Sequence, residues 1–255
     1  MDKNISKNLT VPRSSFSEQG GYEAIVLAGG LGTRIQSVLP GIPKCLAPVA
    51  GKPFLEYVIS HFKDQGIEKF IFATGYKSEM IEEYLQTLLS SNEYAVSKEH
   101  EPLGTGGAIK LATTQTSAKN ILVLNGDTLF RINVDKLNTT HLSHDSTCTL
   151  SLKPMKNIER YGVVEVGLDQ SIKCFKEKQY YKEGLINGGV YLLNVGDFLK
   201  LNLPEKFSFE VDFLAKPRNK NGVDERKFFA NIQDEYFIDI GIPEDYERAQ
   251  RELII

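Results

Sequence analysis

The chain has 255 residues, 41% hydrophobic and 25% charged, a globular balance that excludes disorder over most of its length. Thirty basic against thirty-three acidic side chains leave a formal net charge of -3, which carries no electrostatic footprint for nucleic acid or an anionic membrane. At roughly 150 residues per domain, this length predicts one large domain or a domain with an appendage.

Residues 1–21 are polar and rich in Ser, Asn and Lys. They lack the apolar core of a secretory signal and are expected to form a flexible N-terminal extension. Apolar runs such as Ala24–Ala28 fall far below the ~20 residues needed to cross a bilayer. Cys45, Cys148 and Cys174 are widely spaced and odd in number. That pattern suits reduced thiols in a cytoplasm and argues against a disulfide framework or a paired-cysteine zinc site.

From Tyr22 onward strand and helix patterns alternate. Tyr22–Leu27 reads as a buried strand running into Gly29-Gly30. Phe54, Leu55, Val58, Ile59 and Phe62 fall at helical spacing, and Gly66 supplies a stop. Phe70–Thr74 reads as a strand, Met80, Ile81, Tyr84, Leu85 and Leu88 as a second amphipathic helix, and Tyr94–Ser97 as a weaker strand. A short helix over Ala108–Ala112 and an apolar strand over Ile121–Leu124 follow. Strands alternating with helices over short connections imply a parallel sheet covered on both faces, a Rossmann-like layout. Ligands in such sheets sit at the carboxyl ends of the strands.

The second half has more strands and fewer helices. Thr147–Leu152, Gly162–Val166, Ile172–Phe175, Val190–Leu193 and Phe228–Ile232 are the strand candidates. They predict a mixed or antiparallel extension that closes over the crevice. Pro243–Leu253 reads as a helix with Pro243 in its first turn and Glu244 and Asp245 near its positive end.

The strongest chemical signal is Leu27-Ala28-Gly29-Gly30-Leu31-Gly32-Thr33-Arg34, followed by Ile42-Pro43-Lys44. Three glycines after a strand let the backbone approach a ligand, and their N–H groups can form an anion nest. No Gly-Lys-Ser/Thr is present, so the loop is not a P-loop. Arg34 and Lys44 instead place two cations beside the nest, an arrangement suited to a triphosphate that must release pyrophosphate. An ordinary βα turn with solvated basic residues is the plainer alternative.

Asn125-Gly126-Asp127 and Phe237-Ile238-Asp239 each end an apolar run. Two carboxylates at strand ends would point into the crevice and suit Mg²⁺ together with substrate phosphate. An Asx turn beside Gly126 is the competing reading of Asp127. Glu101–Ala108 is rich in glycine and opens a helix, where its N–H groups could meet a flat base, or simply cap that helix. Tyr161-Gly162, Glu177-Lys178 and Asn187-Gly188-Gly189 offer partners for sugar hydroxyls and a phosphate. His141 and His144 read as surface histidines without a third metal ligand. Cys45 reads as a small packing residue more readily than as a thiol activated by Lys44.

With these motifs in order, the sequence from about Tyr22 to Leu253 resembles the sugar-phosphate nucleotidyltransferases. The Gly-Gly-x-Gly-Thr-Arg loop with its downstream Pro-Lys is the most specific feature. Gly51–Tyr57, Glu101–Ala108, Leu185–Gly189 and Tyr236–Tyr246 are most similar to the D-glycero-α-D-manno-heptose 1-phosphate guanylyltransferase branch of that family.

The resemblance implies an α/β, GT-A-like three-layer fold with a mixed central sheet and a smaller antiparallel extension. It implies a single domain over residues 22–255, with a nucleotide-binding half near 22–145 and a sugar-binding half near 146–255. Leu27, Gly29 and Gly30 would line the nucleotide, with Gly32, Thr33 and Arg34 around its phosphates and Gly104 and Thr105 near the base. Arg34, Lys44 and Asp127 would be catalytic, and Asp127 with Asp239 would hold Mg²⁺. Tyr161, Gly162, Glu177 and Asn187 would surround the sugar, with Lys178 on its phosphate. Cys45 departs from the proline that many members carry after the lysine.

The implied reaction joins a nucleoside triphosphate, GTP by preference, to a sugar 1-phosphate. Mannose 1-phosphate guanylyl transfer, uridylyl or thymidylyl transfer, and a silent nucleotide-sugar-binding regulator remain the other readings. A homodimer is the assembly the family suggests.

Overall fold

The computed structural model describes residues 22–30, 39–215 and 226–254. The expected extension over 1–21 therefore lies outside the described residues. In chain order the elements are β1 (Tyr22–Leu27), β2 (Pro48–Val49), β3 (Lys52–Pro53), α1 (Phe54–Asp64), β4 (Ile67–Thr74), α2 (Ser78–Leu88) and β5 (Tyr94–Lys98). Next come α3 (Gly104–Ala112), β6 (Asn120–Asn125), β7 (Thr128–Phe130), α4 (Val134–Ser143), β8 (Cys148–Ile158), β9 (Val164–Val166) and β10 (Ile172–Phe175). The remainder is β11 (Tyr181–Asn194), α5 (Val195–Lys200), a π-helical turn over Phe209–Ala215, β12 (Phe228–Ile232), β13 (Phe237–Asp239) and α6 (Pro243–Glu252).

Seven strands form one sheet in the order β12-β8-β11-β6-β1-β4-β5. β6, β1, β4 and β5 are parallel, β11 runs antiparallel to β6 and β8, and β12 is parallel to β8. The sheet is mixed and continuous across both halves of the chain.

The period-2 alternation of side chains splits its apolar residues between two cores. Ala24, Val26, Phe70, Phe72, Leu122 and Leu124 join α1, α2 and α6 on one face. Ile25, Ile71, Ala73, Ile121 and Val123 join α3, α5 and the π-helical turn on the other. The three-layer α/β fold follows from strands apolar on both faces, which only helices on both sides can cover.

The predicted extension grows out of two core strands. β11 pairs with β6 only from Val190 to Asn194, whereas it continues along β8 through Tyr181–Asn187. The register breaks between Asn187 and Tyr191, where Gly189 adopts a φ of +71° that favours glycine. β9 and β10 pair with each other, and Val163 bridges to Ile186. Both long strands exceed the predicted spans because Lys153, Lys156, Asn157, Lys182 and Glu183 lie outside the cores and give no apolar signal.

Two sequence expectations are corrected here. His141 is not a surface residue: it is 2% exposed on the sheet-facing side of α4, and its Nδ1 lies 2.9 Å from Thr149 Oγ1 on β8. Burial lowers its pKa to about 4. The helix predicted over Ala108–Ala112 begins at Gly104, inside the glycine cluster.

Candidate active site

The site is assembled where β1 and β6 end side by side. Gly126 N–H donates to the Leu27 carbonyl at 3.0 Å, and a Cβ on Gly126 would lie 2.7 Å from that oxygen. This close turn delivers Asp127 beside the end of β1. β7 then pairs antiparallel with β13, placing Thr128 opposite Asp239, while Ile240 N–H donates to the Asp127 carbonyl at 3.1 Å. Leu129, Phe130 and Ile238 are fully buried, so the short ladder is held by the core beneath it.

Lys44 enters from a single 3-10 turn over Lys44–Leu46 that follows Pro43. Its side chain is only 12% exposed, and its Nζ donates to Asp127 Oδ2 and lies 3.4 Å from Asp239 Oδ1. Gly241 N–H donates to Asp239 Oδ1 at 2.7 Å. The Asp239 carboxyl is nonetheless held above the usual carboxylate range, first by burial and next by the charge of Asp127; Lys44 and the Gly241 N–H oppose the shift. Neighbouring Cys45 is buried, and its thiol is pushed up to about 12, mainly by burial. It is a packing residue.

These groups sit on a cavity of about 490 Å³. Of the residues given a site role from the sequence, Leu27, Gly30, Lys44, Thr105, Asp127, Tyr161, Lys178, Asn187 and Asp239 line it. Gly29, Gly104, Gly162 and Glu177 do not. Gly29 packs against the backbone of Thr74 and Gly75, and Gly162 against the Lys176 carbonyl. Glu177 is exposed, and its carbonyl accepts from the Tyr181 hydroxyl at 3.1 Å. Gly32, Thr33 and Arg34 lie outside the described residues.

Gly104 has a φ of +73°, and a Cβ there would lie 2.6 Å from the Phe207 carbonyl oxygen. Gly106 N–H donates to that same oxygen at 3.0 Å, and Phe207 N–H donates back to Leu103. Thr105 Oγ1 accepts from Phe209 N–H at 2.9 Å. The opening of α3 thus spends N–H groups on docking the segment that leads into the π-helical turn, rather than leaving them all for a ligand.

Arg160, Tyr191, Glu210 and Asp245 also line the cavity and were not assigned to it from the sequence. Asn187 Nδ2 donates to the Tyr191 hydroxyl at 2.8 Å and approaches Glu210 Oε1 at 3.3 Å. Glu210 follows Phe207 and Phe209, two aromatics that the structure buries, and Asp245 read only as a favourable acid at a helix start. Proximity of Arg160 to Tyr161 was the one local signal available.

Residues 23–254 match the profile described as Nucleotidyl transferase. Over 231 residues the chain is 49% identical to the D-glycero-alpha-D-manno-heptose 1-phosphate guanylyltransferase of Aneurinibacillus thermoaerophilus, covering 91% of this chain and 98% of that relative. It is 46% identical over 224 residues to the protein of the same name from Campylobacter jejuni, covering 88% and 96%. The crystal structure of HddC from Yersinia pseudotuberculosis complexed with GMP-PN superposes with a TM-score of 0.80 at 36% identity, covering 91% of this chain and 99% of HddC. Fold, crevice and sequence likeness lead to one conclusion: the chain belongs to the nucleotidyl transferase family.

Proposed function

We propose that the chain transfers a guanylyl group from GTP to D-glycero-α-D-manno-heptose 1-phosphate, giving the GDP-heptose and pyrophosphate. The observation that carries this reading is Lys44 set between Asp127 and Asp239 on one cavity wall. The substrate pair is supported by two relatives named for that activity and by the GMP-PN bound to HddC.

A sugar 1-phosphate has a second pKa near ~6 and is mostly dianionic at neutral pH, so it needs no general base. Its oxygen forms a bond to the α-phosphorus as the bond to the β-phosphate oxygen breaks, and the electron pair leaves with pyrophosphate. The barrier is the meeting of two polyanions, so the chain's task is positioning and charge. Lys44 would bring its ammonium to the reacting phosphates. Leu27 and Gly30, with Thr105 across the cavity, would receive the nucleotide, while Gly29, packed against Thr74 and Gly75, would serve only to let the strand end turn towards it. Gly32, Thr33 and Arg34 keep the phosphate roles implied by the resemblance. Tyr161 and Asn187 would face the sugar and Lys178 its phosphate. Residues 22–145 thus form the nucleotide half and 146–255 the sugar half of a single domain.

The donor set fits a divalent ion. Two carboxylates converge on one cavity wall, and Asp239 is held above the usual carboxylate range first by burial and then by the neighbouring Asp127 charge. Among the described residues no group of three or more His, Cys, Asp or Glu side chains forms a cage. Asp127 and Asp239 would hold Mg²⁺, which takes one or two carboxylates plus substrate phosphate. When bound it would neutralise phosphate charge. Among the described residues no helix is long and apolar enough to cross a membrane. The cytoplasm is the setting we assign, supported by three cysteines free of disulfides.

The test is a pyrophosphate-release screen of GTP, ATP, CTP, UTP and dTTP against heptose, mannose, glucose and N-acetylhexosamine 1-phosphates. The highest kcat/KM is expected for GTP with the heptose 1-phosphate. A higher value for any other pair overturns the substrate assignment, and nucleotide binding without release from any pair overturns the transferase reading.

A further inference from the structure

Three cationic side chains line the cavity among the described residues: Lys44, Lys178 and Arg160. Lys44 is engaged by both aspartates, and Lys178 is exposed. Arg160 differs from both in being fixed and yet open. Its Nη2 donates to Asp245 Oδ2, and its guanidinium lies 5.7 Å from the centre of the Tyr161 ring. Tyr161 packs edge-on against Phe237 at 5.8 Å, and Phe237 begins the strand that ends in Asp239. Arg160 is thereby tied to the strand that carries one of the two central carboxylates, while its own side chain remains 44% exposed.

Asp245 is the strut. It sits in the first turn of α6 with its side chain 8% exposed, and its Oδ1 lies 3.4 Å from Arg248 Nη1. The buried carboxylate is therefore served by two guanidinium groups and does not depend on Arg160 alone. A guanidinium carries five N–H donors in a planar fork, matched to carboxylate or phosphate oxygens. The hydrogen bond to Asp245 uses one of them, which leaves donors for an anion in the cavity.

We propose that Arg160 binds the phosphate of the sugar 1-phosphate, with Asp245 as the positioning residue that aims it. This inference rests on the guanylyltransferase reading and adds a recognition residue to it. Arg160 supplies directional, bidentate contact, and Lys178 adds charge. Together they hold the attacking phosphate against a wall that also carries Asp127 and Asp239, which would otherwise repel it.

Steady-state kinetics of Arg160→Ala, Arg160→Lys and Asp245→Asn, with each substrate varied in turn, test the proposal. For Arg160→Ala the KM for heptose 1-phosphate should rise at least about tenfold while the KM for GTP stays within about twofold, as loss of a charge-assisted bidentate contact requires. Arg160→Lys should recover part of that rise, and Asp245→Asn should shift the same KM in the same direction by a smaller factor. An unchanged sugar 1-phosphate KM, an equal rise for both substrates, or a fall in kcat accompanied only by a lower Tm overturns it, since a pair that merely fastens α6 would behave so. If the wild-type enzyme prefers another sugar 1-phosphate, the substrate assignment fails and the same kinetics are run with that substrate. If no pair turns over, calorimetric titration with α-D-mannose 1-phosphate decides: weaker binding to Arg160→Ala supports the proposal, and equal binding overturns it.

Discussion

Lys44, Asp127 and Asp239 form a group whose parts do not balance on their own. Replacing Asp127 by Asn removes an acceptor of Lys44 and one of the two carboxylates, without touching the core. Turnover should fall on the order of 10²-fold or more, the scale lost when a preorganised electrostatic contact is removed. The circular dichroism spectrum should be unchanged; near-normal turnover would contradict the metal assignment.

Asp239 has the opposite relation to stability. Its folded pKa is raised, by burial and then by Asp127, so the charged form is penalised in the folded state. The penalty is absent below the ordinary carboxylate pKa and grows as pH rises through the folded value. In chelator-treated protein Asp239→Asn should therefore raise Tm at neutral pH, and the gain should shrink as the medium is made acidic. A gain independent of pH would contradict that cause.

His141 gives a second pH signature with the other sign of titration. Its pKa is lowered from 6.5 to about 4, so between those values the unfolded chain binds more protons than the folded one. Stability is unpenalised above about 6.5 and declines towards about 4, by up to about 3 kcal/mol. His141→Gln should flatten that part of the urea-denaturation profile against pH.

At the scale of elements, the β7–β13 pair determines whether the two aspartates meet. Ile238 is fully buried and immediately precedes Asp239. Ile238→Ala should cost about 2–5 kcal/mol in denaturant unfolding and lower kcat at temperatures where the protein is still fully folded. A stability loss with kcat intact would show that the ladder does not position Asp239.

The helices and inner strands were legible because their apolar spacing is local: Phe54 to Phe62 and Tyr22 to Leu27 appear in the structure as predicted. Asp127 and Asp239 were legible as a pair only through their motifs and the family likeness. Two three-residue strands, Thr128–Phe130 and Phe237–Asp239, that meet from distant parts of the chain leave no periodic trace. The glycines of α3 show the same limit. Their composition suggested ligand contact, whereas Gly104 and Gly106 meet Phe207 from the other half of the chain.

At the scale of the whole molecule, one sheet with a core on each face holds β1, β6 and β11 side by side, and the cavity opens where these strands and the β7–β13 ladder converge. The sequence halves proposed for nucleotide and sugar are hydrogen-bonded to each other through β6 and β11. Arg160, Glu210 and Asp245 receive no site role from the sequence, because it is this assembly that turns them towards the cavity; adjacency to Tyr161 is the one local hint, and it concerns Arg160 alone. The consequence of this assembly is that two anionic substrates would be brought together on one continuous sheet whose charged side chains are already in place.

The most direct test is to supply the protein with GTP, Mg²⁺ and D-glycero-α-D-manno-heptose 1-phosphate and to quantify both products. Pyrophosphate and GDP-heptose appearing in equal amounts, with Asp127→Asn reducing both, is the predicted result. GTP consumed without GDP-heptose, or turnover undiminished in Asp127→Asn, would contradict it.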